Sequence, residues 1–371
     1  MPLSPAVALR VLCVAWLTAV SGSAPIYLAA VAPRGPAIAL VRVLTLGDDE
    51  GPGVLGFPTA VTRDAQGRFL VVTEAETNAI LVFDSAGRFV RSVGSRGDGP
   101  GEYRWILALA KGPGDTIHVY DITTRRRTVL SPNLRAIRQH ALPGSFFRGG
   151  AAVLTDGSVI LNGIRRTSDG FGFAFQMLNA EGTYVRSFGA HHGVLTPRTV
   201  YQVLNRPFAV DAAGRVLAGF AGRYGFEEWD ARQGTRVREI PCDAPWFLVR
   251  PEGDLGGPSR DHPPYSLVRA IALDESGGVR VATLVQDARW RAQLTETRGP
   301  DGPYLDAKDD TRYLDSRLEI VERASGTVIA STQVDQVFFA FLGPDHLVSV
   351  RDAASGVVKL DVWRIRVVGQ G

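Results

Sequence analysis

The residues best equipped for chemistry are scattered along the chain, and their spacing limits what they can do. His191 and His192 are adjacent, and with Asp261 or His262 they could offer ligands to a metal. That spacing matches no zinc pattern, and adjacent imidazoles in a loop serve equally well as polar surface. Asp306, Asp309 and Asp310 invite Ca²⁺, but the run lacks the glycine and closing glutamate of an EF-hand loop. It is expected to be a solvated loop. No Ser-His-Asp order, Gly-x-Ser-x-Gly elbow or phosphate loop is visible. Gly97-Asp-Gly-Pro-Gly101 is glycine-rich, yet it lies between strand-like segments with no helix N-terminus to receive a phosphate, so it reads as a connector. Cys242 lacks a histidine arrangement that would activate it and reads as a small packed side chain. The expectation is therefore no metal site, no cofactor and no identified catalytic residue.

Arginine and aromatic residues are the other chemical resource. Lysine occurs only at Lys111, Lys308 and Lys359, so nearly all of the 41 basic residues are arginine. A coding bias explains that economically. Arginine pairs with carboxylates through two parallel hydrogen bonds, and aromatic rings stack on flat ligands. The candidate ligand-binding residues are Arg96, Trp105, Arg125, Arg126, Arg165, His191, His192, Arg223, Tyr224, Trp246 and Trp290. Arg104, Arg127, Phe146, Phe147, Arg148 and Arg289 are expected beside them. The plain alternative is that the rings fill space between structural units.

These residues must be positioned by a repeat. Phe57 to Val93 reads as four short strands, a to d, joined by tight turns at Asp64-Ala-Gln-Gly67 and Asp84-Ser-Ala-Gly87. Aspartate supplies local hydrogen bonds there and glycine a positive φ. The a–b turn recurs at 112–115, 155–157, 211–214, 274–277 and 343–345, and the c–d turn at 131–133, 179–182, 230–234 and 323–326. A sixth c–d turn is missing because the chain ends on a third strand, Lys359 to Arg366. Ala39 to Leu46 resembles strand d, and its following loop parallels Val93 to Gly101. The N-terminal strand is thus expected to complete the last unit. The fold class is all-β: a six-bladed β-propeller with four-stranded antiparallel blades, its ring closed by strands from both ends. The b–c and d–a loops form the variable face, which carries the arginine and aromatic candidates. Insertions at 241–266 and 286–312 should rise from that face.

Residues 57–101 resemble an NHL repeat, through Pro58, Asp64, Gly67, Val71-Val72, Asn78, Ile80 to Asp84 and Gly87. The segment Val72-Thr-Glu74 departs from the family, where an aspartate usually follows strand b. The resemblance is specific over one blade and architectural elsewhere. It implies a propeller that holds a protein, peptide or glycan on its loops. Related six-bladed rings are metal-dependent lactonases or lyases with a divalent cation in the central channel, and Glu74, Asp121, Asn162 and Asn205 would be the corresponding candidates here. The fold does not choose between these functions.

Arg10, the apolar run Val11 to Val20 and the small residues Ser21 to Ala24 make a secretory signal pattern. The expected organisation is a signal peptide at 1–24, a linker at 25–37 and the propeller at 38–371, working outside the cytoplasm as a monomer. After cleavage only Cys242 remains, so no internal disulfide can form. A net charge of +3 and the export pattern argue against nucleic acid as a partner.

Overall fold

The computed structural model describes residues 36–74, 78–142, 146–166, 172–191, 206–220, 222–251, 262–293, 296–299, 302–305, 313–352 and 356–369. They form six four-stranded antiparallel blades. Blade 1 runs Pro58–Arg63, Phe69–Thr73, Ile80–Phe83 and Phe89–Val93. Blade 2 runs Ile106–Lys111, Ile117–Asp121, Arg126–Leu130 and Ala136–Ala141. Blade 3 runs Phe146–Val153, Val159–Arg166, Gly172–Leu178 and Tyr184–His191. Blade 4 runs Phe208–Val210, Arg215–Gly219, Gly225–Asp230 and Thr235–Pro241. Blade 5 runs Leu267–Leu273, Gly278–Gln286, Leu314–Glu322 and Val328–Val334. Blade 6 takes Val337–Phe341, His346–Asp352 and Val358–Val368 from the end of the chain and Ala37–Leu46 from its beginning.

The sequence dictates this layering. Strands b and c of blade 1 are continuous apolar runs and are buried throughout, because each blade is covered on both faces by its neighbours. The outer strand Phe89–Val93 is mostly exposed. Among the described residues a buried apolar cluster fills each gap between successive blades, and the one between blades 6 and 1 closes the cycle. The tight turns are as their residues require. The Asp64 carboxylate accepts the Arg68 N–H at 2.9 Å, and Gly67 takes φ +80°. The connector at 97–101 is folded around Glu102, whose carboxylate accepts the Gly99 N–H at 2.7 Å. A side chain at Gly97 would collide with that carboxylate.

Ring closure rests on Ala37–Leu46. It pairs antiparallel with Val358–Val368 from Ala37↔Val368 to Leu46↔Leu360, with one bulge between Arg42 and Leu44. A single parallel contact, Ala37↔Ser331, also joins it to the outer strand of blade 5. Asp361 fastens the seam: it is 1% exposed and accepts hydrogen bonds from Thr45 Oγ1 at 2.5 Å and Arg351 Nε at 2.7 Å. Lys359 Nζ donates to the Gly47 carbonyl at 2.9 Å. Leu46 is fully buried between blades 6 and 1. Leu46→Ala is expected to cost about 2–5 kcal/mol in urea unfolding. Deleting 37–46 should cost far more, and an unchanged midpoint for the deletion would show that the ring closes without this strand.

Candidate functional site

The six innermost strands surround an axial cavity of about 380 Å³, to which every blade contributes. Its walls depend on a repeated irregularity. The inner strands of blades 1, 2, 5 and 6 each skip one residue in their pairing with strand b, at Thr59, Leu107, Arg269 and Phe339. A bulge leaves its extra residue out of the ladder and bends the strand. All four skipped residues line the cavity, as do Asn162, Arg206, Phe208 and Phe341. Thr59, Leu107 and Arg269 lie towards the starts of their inner strands, near the variable face, while Phe341 ends its strand.

The polar groups in this wall are held firmly. Arg206 donates to the Gly219 carbonyl at 2.6 Å and to Glu227 Oε2 at 2.7 Å, and its guanidinium lies 4.3 Å from the centre of the Phe220 ring. Burial lowers the Arg206 pKa. Burial opposes ionisation of Glu227, but Arg206 and Arg236 beside it hold its carboxyl below the usual range. The Asn162 amide donates to the Ala174 carbonyl at 3.0 Å, and its oxygen accepts the Arg206 N–H at 3.4 Å. Arg269 lies over the Phe339 ring at 4.6 Å.

A divalent cation does not fit this donor set. Hard cations need several carboxylate or carbonyl oxygens, and the described lining contains two guanidiniums and one amide but no carboxylate. Of the described residues implied by the lactonase resemblance, Asn162 alone lines the cavity, and its amide is engaged with backbone. Glu74 is exposed at the end of its strand. Asp121 is buried and accepts the N–H groups of Arg104, Thr123 and Thr124 at 2.6, 2.9 and 2.9 Å, which makes it a turn-forming residue. Asn205 lies outside the described residues.

The arginine and aromatic candidates divide into two groups. Arg96, Trp105 and Arg125 are exposed, Trp105 at 46%, and Arg126 is half-buried with its guanidinium on the Asp98 carbonyl at 2.5 Å. Asp98 also holds Arg104 through two hydrogen bonds of 2.9 and 2.6 Å. The other group is structural. Tyr224 is buried and donates to Glu319, with Trp246 packed edge-on at 5.0 Å and Arg317 lying 4.6 Å above that indole. Burial and Glu319 push the Tyr224 pKa well up. Trp290 is 9% exposed and packs with Tyr313 and Leu314. These rings fill the spaces between blades, the plainer of the two readings open to the sequence. Arg223 belongs with the exposed residues, although it stacks on Phe220 at 3.4 Å and pairs with Glu239 at 2.9 Å. Burial pushes the Cys242 thiol up to about 11, which suits packing and not nucleophilic attack.

Arg127 departs from expectation. It follows Arg126 in a strand, so it points to the opposite sheet face, and it is 1% exposed between blades 2 and 3. Side chains of Arg165, His191, Phe146, Phe147 and Arg148 lie outside the description, as do all of His192, Asp254, Asp261, Asp306, Asp309 and Asp310. Sequence reasoning missed a carboxylate group. Asp287, Asp315 and Asp335 bring oxygens within 4.8 Å of one another on the variable face of blade 5. They come from a strand end, a strand start and an inter-blade loop, so no local motif announces them.

Fold and cavity together define a six-bladed β-propeller. The comparisons agree at that level. A family described as "6-bladed beta-propeller" (DUF5128) matches residues 60–125, from the inner strand of blade 1 into blade 2. No curated protein matches the chain. Among solved structures, a DUF4221 member from Bacteroides vulgatus is 11% identical with a TM-score of 0.55, covering 90% of this chain and 99% of its own. A candidate exported protein from Bacteroides fragilis is 12% identical with a TM-score of 0.57, covering 88% and 95%. At such identities the likeness is one of fold.

Asp315 yields a pH-dependent expectation. Burial raises its carboxyl pKa; the Gln333 amide opposes that, and Asp287 and Asp335 add to it. A carboxyl raised on folding contributes stability below its unfolded pKa and loses it as pH rises through the raised value. Asp315→Asn should therefore melt at or above the wild-type temperature at neutral pH and lose that margin in acid. A variant less stable at neutral pH would show that the ionised carboxylate is favourably paired.

Proposed function

We propose that this protein is an extracytoplasmic binding propeller, NHL-like in its first blade, which holds a protein, peptide or glycan on its variable face and receives part of that ligand in the axial cavity. The observation that carries this reading is the cavity itself. Its volume of about 380 Å³ falls in the range of ligand sites. Its described wall combines aromatic rings with the Arg206 and Arg269 guanidiniums and offers no carboxylate pair or metal-ligand set. Such a wall orients a ligand without providing an acid, a base or a nucleophile. Exposed Trp105 and Arg96 lie on the same face and extend the contact surface. The metal-dependent enzyme reading has no comparable support in the donor set.

Export is supported by the N-terminal pattern and by the fold shared with a candidate exported protein. Cleavage after Ala24 predicts a mature chain beginning at Pro25, which intact-mass measurement of the protein from its native host checks. For binding, the mature protein would be screened on peptide and glycan arrays. A ligand whose affinity falls on the order of tenfold or more in Phe339→Ala supports the cavity as the site, since buried aromatic anchors dominate binding energy. Ligands unaffected by Phe339→Ala and by Trp105→Ala would remove the support.

A further inference from the structure

The gap between blades 2 and 3 changes character towards the turn face, opposite the variable loops. Deeper in the gap it is apolar, built from Ala108, Ala110, Tyr120, Val159, Leu161 and Leu178. Near the turns it opens into a separate cavity of about 240 Å³. The strand register explains what lines it. Arg127 is directly opposite Tyr120 on one side and His140 on the other, and Val129 is opposite His118 and Arg138. Opposed residues in an antiparallel sheet share a face, and so do residues two apart along a strand. Blade 2 therefore presents His118, Arg127, Arg138 and His140 on one face, the face covered by the turns of blade 3.

Arg127 is the unusual member. It is 1% exposed, and one terminal nitrogen donates to the Ala180 carbonyl. Apart from the Tyr120 hydroxyl beside the guanidinium, its Nε and other terminal nitrogen meet no acceptor among the described residues, and no carboxylate there pairs with it; Nδ1 of His118 has no partner, and His140 interacts with the Glu181 backbone while its Nε2 is unpaired. A buried guanidinium normally finds a carboxylate, because an uncompensated buried charge is costly. The carboxylate lining this cavity, Asp156, is engaged elsewhere: it pairs with Arg232 at 2.8 Å and accepts the Ser158 N–H at 2.9 Å. Glu181 adds a more distant negative charge, and the Tyr120 hydroxyl lies beside the guanidinium.

We propose that this cavity is a binding site for a tetrahedral oxyanion, phosphate or sulfate, held by Arg127 and His118 with Arg138 and His140 at its rim. The chemistry matches: guanidinium nitrogens fork onto two oxygens of such an anion, and a neutral imidazole donates one N–H. Burial and the Arg127 charge hold His118 down at about 4, so it is neutral at pH 7 and contributes a hydrogen bond, not a charge. The space suffices for a tetrahedral anion with a few waters, each needing about 30 Å³. The site stands independently of the axial cavity, with which it shares no lining residue.

Titration calorimetry of the mature full chain with inorganic phosphate and with inorganic sulfate, against chloride at matched ionic strength, tests it. Saturable binding of either anion is expected, weakened roughly tenfold by Arg138→Gln, the loss of one charge-assisted hydrogen bond. Arg138 is exposed, so that variant keeps the fold even if the buried Arg127→Met variant does not. Glucose 6-phosphate and glucose 6-sulfate separate the sources: binding at least as tight as the free ion assigns the site to a group carried on a sugar, and binding of the free ion alone assigns it to inorganic anion. Heats no greater than chloride, or equal affinities in wild type and both variants, would overturn the proposal and leave a water-filled cavity.

Discussion

Every other feature of this molecule depends on the pairing of its first described strand with its last. Each blade buries its two faces against neighbours, and no blade can do so unless the ring is complete. Without Ala37–Leu46, blade 6 would end on Val358–Val368 with open backbone groups, and the apolar contact with blade 1 would lose Leu46. Backbone pairing supplies the seam with direction and register. Asp361, buried and surrounded by Thr45, Arg351 and Arg42, supplies specificity, since a shifted register would strand its charge. Cys242 is the one cysteine among the described residues, and these residues are held by packing, hydrogen bonds and ion pairs.

The same geometry creates the two cavities. Inner strands that crowd around an axis cannot all remain regular, and skipped residues at Thr59, Leu107, Arg269 and Phe339 relieve the crowding while lining the channel. At the periphery the gap between blades 2 and 3 widens, and there blade 2 fills it with histidine and arginine. The first cavity follows from ring closure itself. The second is a local choice of side chains.

The architecture was legible in the sequence because turn chemistry is local. Asp-x-x-Gly turns mark strand ends wherever they fall, and the unpaired count of six against five pointed to the borrowed strand. The strand begins at Ala37, slightly before the alternation in Ala39 to Leu46 made it visible. Side-chain roles were far less legible. Tyr224 and Trp246 looked like surface contacts but pack between blades 4 and 5, since exposure depends on which blade lies opposite. Arg127 was grouped with Arg125 and Arg126, although strand alternation turns it to the other face. Asp287, Asp315 and Asp335 meet only because three separated segments converge on one corner of blade 5.

The borrowed strand also sets an order of events in folding. Thr45 and Asp361 are 316 residues apart, and their contact belongs to the seam that closes the ring. Local hairpins can form as the chain emerges, but the seam waits until the final 11-residue strand is available. Closing so long a loop adds only a modest, logarithmic entropy cost, yet topologies ruled by such distant pairings fold slowly. The ring therefore cannot close until its last described strand has been made, so the blades that form first wait on the one that forms last.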